Sequence, residues 1–165
     1  MPNALDRDDK DFSDYERKIV QCVREYGWFA TSVLADEESL GFTYSIGFEA
    51  TGSQPEIIMF SIKHGHDFLG DIYNLMKRGK VFEAGVRVPE IFRDLDVVFL
   101  PVDKSYYSEY PLSARWFYGH ENFALWQMVW PDHNGRFPWE DGFDPQYEDA
   151  QPDLSSGDWG GRKGA

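Results

Sequence analysis

The sequence predicts an α+β domain with a mainly antiparallel, strongly curved sheet or partial, split-barrel-like β-barrel, flanked by two or three helices. Three observations predict it. One segment of helical period precedes three strand-like runs in succession, a second helical segment follows, and two further strand-like runs come later. The chain has 165 residues, of which 42% are apolar and 17% aromatic. That is enough for one core, so we expect a single domain over residues 12–150, a mobile N-terminus over 1–11 and a disordered acidic, Gly-rich tail over 151–165.

Phe12, Tyr15, Ile19, Cys22, Val23 and Tyr26 recur at three- and four-residue spacing, which predicts a first helix. Ser13 with Glu16 forms a capping-box pattern at its start, and Gly27 stands where a helix stops. The run 28–34 (WFATSVL) is rich in aromatic and β-branched residues, and 41–48 (GFTYSIGF) alternates large and small side chains. Both predict strands, joined by a polar turn. The nearly continuous apolar run 56–62 (EIIMFSI) predicts a strand covered on both faces.

Phe68, Ile72, Leu75 and Met76 lie on one helical face within 64–78, with Gly79 as a stop. Residues 80–88 suggest a short strand pair, and 94–102 a strand that ends near Pro101. Pro111 interrupts the aromatic stretch 104–118. The clearest central strand is 123–130 (FALWQMVW), where Trp126, Met128 and Trp130 are expected to share one buried face. A turn, PDHNG, follows it.

The net charge of −13 argues against a broad nucleic-acid face and against docking on an anionic membrane. Cys22 is the single cysteine, which excludes an internal disulfide and fits a reducing compartment. No apolar run approaches the roughly 18 residues of a membrane span, and the N-terminus lacks the order of a signal peptide. A cytoplasmic location is the expectation.

Four of the six tryptophans stand between Ala114 and Phe143, interleaved with arginines and hydrogen-bonding side chains. Large amphipathic rings among polar groups predict a pocket wall or a binding face. Arg115 and Arg136 are either clamps on neighbouring acids or a planar fork for an anion. Gln127 is either a satisfied core amide or a pocket donor. Thr43, Ser45 and Gly47 share one side of their strand and predict a shallow groove, because small residues there mark close approach by a ligand or another backbone. The expected site therefore gathers Tyr44, Ser45, Gly47, Arg115, Trp116, Tyr118, Gln127, Trp130, Asp132, Arg136 and Trp139 around a small anionic ligand or a protein partner.

No catalytic residue is assigned from the sequence. Ser45 is not in a GxSxG elbow. His64 and His66, two apart, have poor spacing for shared metal ligands and read as helix-start residues, so no metal is expected. The oligomeric state is not encoded in any pattern found.

The segments 44–47 (YSIG), 55–58 (PEII), 114–119 (ARWFYG), 127–132 (QMVWPD) and 135–139 (GRFPW) resemble a bacterial family of uncharacterised domains, domain-of-unknown-function family 4262. The resemblance covers about residues 14–147 and implies no activity. A weaker likeness in element order, strand, strand, strand, helix, strand, connects the chain to flavin-reductase-like split β-barrels. It implies flavin binding as an alternative to a cofactor-free binding or interaction domain, with an enzyme acting on a small anionic substrate as the corresponding activity.

Overall fold

The computed structural model describes residues 2–162. Helix α1 (Asp14–Tyr26) begins on the predicted capping box: the Ser13 hydroxyl accepts the Glu16 amide, and the Glu16 carboxylate accepts the Ser13 amide. Gly27 ends it at φ 91°, a left-handed conformation without penalty for a residue lacking Cβ. Strands β1 (Phe29–Val33) and β2 (Phe42–Ile46), a five-residue helix α2 (Phe48–Gly52) and β3 (Glu56–Phe60) follow. Next come α3 (Gly65–Lys77), β4 (Arg87–Val88) and β5 (Val97–Pro101). The chain continues through α4 (Leu112–Tyr118), β6 (Leu125–Val129) and α5 (Asp158–Arg162).

The strands form one sheet in the order β1-β2-β3-β6-β5-β4. Every pairing is antiparallel except β3 with β6, where Ile58 stands opposite Gln127. The α+β class and the mainly antiparallel sheet agree with the sequence reading. The sheet is open, with β1 and β4 as its edges.

Two layers cover the sheet. On one face Tyr44, Ile46, Ile58, Phe60 and Leu125 pack against Ile19, Val20 and Val23 of α1 and Ala114 and Phe117 of α4. On the other, Ile57, Met59, Val97, Phe99 and Met128 pack against Leu69, Ile72 and Tyr73 of α3. That two-sided burial is why β3 reads as an uninterrupted apolar run. A smaller cluster joins Val98, Leu100, Val129 and Phe137, with Trp139 and Trp159 against it.

Several expectations are corrected. Residues 80–88 contribute only the two-residue β4, and the break after β2 contains α2. Trp130 is buried, but Trp126 is half-buried at the edge of its cluster, beside Pro101 at the end of β5. Each segment read as a loose end places a side chain in the core. Ala4 and Leu154 are fully buried, and Arg7 donates to the carbonyls of Trp116 and Phe117 at 2.6 and 3.0 Å. Met1 and residues 163–165 of the two predicted tails lie outside the described residues.

Candidate functional site

The small-residue side of β2 is filled by the protein itself. A Cβ on Gly65 would lie 2.8 Å from Thr43 Oγ1, so the first turn of α3 rests directly on that strand. One on Gly47 would lie 2.7 Å from the Gly27 carbonyl. The predicted groove is a seat for two backbone segments.

Beside it stands a residue that the sequence reading passed over. Glu56 opens β3 and is fully buried. Its Oε1 accepts from the Ser45 hydroxyl at 2.7 Å and the Phe48 amide at 3.1 Å. Oε2 accepts from the amides of Gly47 and Glu49 at 3.0 and 3.3 Å, and from the Tyr118 hydroxyl. Burial pushes the Glu56 carboxyl up to about 7, against the lowering effect of those donors. Burial, and the Glu56 charge beside it, raise the Tyr118 phenol. Charge, helix start and two strands are thereby locked in one knot. The signal available in the sequence was a lone acid heading an otherwise apolar strand.

Of the predicted site residues, Ser45, Gly47 and Tyr118 meet at this carboxylate, and the rest divide among other neighbourhoods. Tyr44 accepts the Ser113 amide through its hydroxyl at 2.9 Å, fastening α4 to the sheet. Arg115 pairs with Glu121 at 3.1 Å, and Trp116 takes the Phe12 ring edge-on with the Arg7 guanidinium above it. Gln127 donates to the Pro152 carbonyl at 2.9 Å. Trp130 exchanges backbone hydrogen bonds with the Gln151 amide, and its indole donates to the Phe60 carbonyl at 2.9 Å. Asp132 accepts the amides of Asn134, Arg136 and Asp144, each at 2.9 Å. Burial pushes its carboxyl up, but those three amides and the Arg136 guanidinium outweigh it and hold the group below the ordinary range. Arg136 reaches the Gly142 carbonyl at 3.3 Å, and Trp139 stacks on Phe137. Both arginines have partners within the chain, Glu121 for Arg115 and the Gly142 carbonyl for Arg136.

A different feature is open to solvent. Two depressions, of about 530 and 450 Å3, flank β1 and together form a furrow beside it. The first is lined by Lys18, Cys22 and Tyr26, one stripe of α1, together with Trp28, Phe29 and Ala30. The second lies at the other end of β1 and is lined by 32–35, by 40–43 leading into β2, and by 61–66. His66, in the first turn of α3, lines both parts of the furrow. Tyr26, Val33 and Leu34 stand exposed along it. Its lysines are Lys18 and Lys63, His64 and His66 also line it, and no acid is among its lining residues.

Among the described residues, no three His, Cys, Asp or Glu side chains stand together as a metal site, and no helix is long and apolar enough to cross a membrane. Compared with known families, residues 22–144 match the one described as Domain of unknown function (DUF4262). The chain belongs to that family. No curated protein and no solved structure matches it. The DUF4262 span contains all six strands, the Glu56 knot and the whole β1 edge, whereas Lys18 and the first turns of α1 precede it.

Proposed function

We propose that this DUF4262 protein is an interaction domain that seats an extended polypeptide segment along the open edge of β1. The observation that carries the reading is the unpaired edge of β1, with the two depressions beside it and exposed apolar side chains at Tyr26, Val33 and Leu34. Strand addition draws affinity from main-chain hydrogen bonds and specificity from pockets for alternate side chains. The unpaired edge of β1 supports the first and the two depressions support the second.

The two edges differ in a way that supports this. Natural sheets blunt exposed edges with short strands, charges or proline. β4 has two residues, is followed by Pro89, and carries Arg87 in an ion pair with Glu140 at 3.0 Å. β1 has five residues, FATSV, without a charge or a proline. An uncharged edge of that length is a ready template for a further strand.

A small anionic ligand has less support, since Arg115 and Arg136 are engaged within the chain. Catalysis, with or without flavin, has less support too, because Ser45, Glu56 and Tyr118 are buried and bonded to one another. A cytoplasmic setting belongs to the same proposal, resting on the single cysteine.

Hydrogen exchange tests the reading. Peptides selected from a displayed random library should slow exchange of the 29–33 amides. Protection confined to the Arg115 or Arg136 neighbourhoods, with 29–33 unchanged, would overturn it.

A further inference from the structure

We infer that the occupant of the β1 furrow is a second copy of this chain, pairing antiparallel through β1 so that two six-stranded sheets join across a two-fold axis. The inference rests on the reading of β1 as the binding edge and adds the identity of the partner.

Its basis is self-complementarity along one strand. The apolar depression lies at the N-terminal end of β1, among Cys22, Tyr26, Trp28 and Phe29. The apolar projections lie at the other end, where Val33 is 42% and Leu34 87% exposed. An isologous interface needs a patch that contains both a shape and its complement, so that each contact is made twice. Antiparallel pairing with Thr31 on the axis sets the second copy's Val33 opposite Phe29 and the second copy's Leu34 opposite Trp28. Side chains opposite one another in a sheet lie on the same face. Phe29 packs with the α1 layer and Trp28 with the α3 layer, so each incoming side chain meets rings on its own side of the sheet.

Charge agrees with this register. Asp36, Glu37 and Glu38 follow β1 directly. In the antiparallel arrangement the second copy's acidic turn runs past the end of the furrow that holds Lys18. A parallel arrangement would set the acidic turns of the two copies side by side. Two copies of a chain with net charge −13 repel at long range, and Lys18 beside the second copy's acidic turn reduces that repulsion where the copies meet.

Sedimentation equilibrium of the full chain, with hydrogen exchange over 29–33, tests the inference. The expected result is a reversible dimer in which the β1 amides become slow as concentration rises. Leu34→Glu places a charge in both copies of the apolar contact and should weaken the dimer about a hundredfold, because symmetry counts each change twice. Leu34 is so exposed that the monomer fold does not depend on it, and circular dichroism checks that. A chain that stays monomeric, or a dimer indifferent to Leu34→Glu with fast β1 amides, overturns the inference. A monomer whose β1 amides are slowed by selected peptides overturns the second copy as occupant while leaving the edge-binding reading intact. A monomer whose β1 amides no selected peptide slows removes both.

Discussion

The Tyr118 hydroxyl donates to the Glu56 carboxylate, joining the last residue of α4 to the first residue of β3 across 62 positions of chain. The direction of that bond is fixed from outside. Tyr118 accepts the Ala50 amide at 3.3 Å, and Ser45 accepts the Ile57 amide at 3.0 Å, which leaves each hydroxyl proton for Glu56. Five donors therefore converge on one buried carboxyl, and three of them are amides at the start of α2. A helix of five residues has little stability of its own. Its position between β2 and β3 depends on this acceptor.

Stability should respond to pH through Glu56. Its folded value is raised from 4.5 to about 7, so the folded state holds a proton that the unfolded state has lost over that window. The stabilisation is complete below about pH 4.5 and is lost as pH rises through about 7, an effect of about 3 kcal/mol. Carboxyls held below their ordinary range, such as Asp132 and Asp144, act in the opposite sense, losing stability as pH falls. Comparison with Glu56→Gln, which cannot titrate, separates the two effects. Urea denaturation from pH 5 to 8 should show the natural protein losing stability relative to the variant, and parallel curves would contradict the assignment.

Tyr118→Phe removes one donor from the carboxylate and leaves the Ala50 amide without its partner. A loss of about 1–2 kcal/mol is expected, the usual cost of an unmade hydrogen bond at a part-buried site. The same change should move the pH midpoint of the Glu56 effect upward, because the phenol favours the charged form. A variant that loses stability without moving that midpoint would place Tyr118 in the packing alone.

Much of the fold could be read from periodicity, because elements with one strong pattern declared themselves. The helix capped by Ser13 and Glu16, the two-sided β3 and the aromatic β6 are all of that kind. Arrangements set by single tertiary contacts were hidden. Nothing local says that Glu56 faces inward, since its partners come from β2, α2 and α4. Ala4 and Leu154 likewise carry no periodic signal, yet each fills a place in the core. The interleaved rings and arginines of 114–143 pointed to a pocket, whereas the structure spends most of them on loops and end segments: Asp132 on a turn, Trp130 and Gln127 on residues 151 and 152. Small side chains on β2 had two readings, ligand or backbone, and Gly65 decides for backbone.

Asp132 and the two arginines should differ sharply. Asp132→Ala removes the acceptor for three amides around a turn that carries buried Phe137, and should cost about 2–4 kcal/mol. Arg136→Lys loses a single long bond to an exposed carbonyl, and Arg115→Lys weakens one surface ion pair, so each should stay within about 1 kcal/mol. Thermal unfolding of the three variants checks the order. An arginine variant as costly as Asp132→Ala would show a role beyond these contacts.

The N-terminal segment should matter more than its composition implies. Arg7 supplies a guanidinium to two carbonyls of α4, the helix end where positive charge is favoured, and covers the Trp116 ring at 5.1 Å. Arg7→Ala leaves those carbonyls to water and uncovers the ring, which should cost about 1–2 kcal/mol. For a chain of this size each kcal/mol lowers Tm by about 2–4 °C. Deleting residues 1–7 removes Ala4 and Leu5 from the floor between α1 and α4 as well, and should lower Tm by more than the single substitution does. The Glu56 knot lies at the far end of α4 from Leu112, next to those same carbonyls. Loosening Arg7 should therefore also speed hydrogen exchange in 112–118 before it affects β3. If deletion leaves both Tm and that exchange unchanged, the segment rests on the domain without holding it.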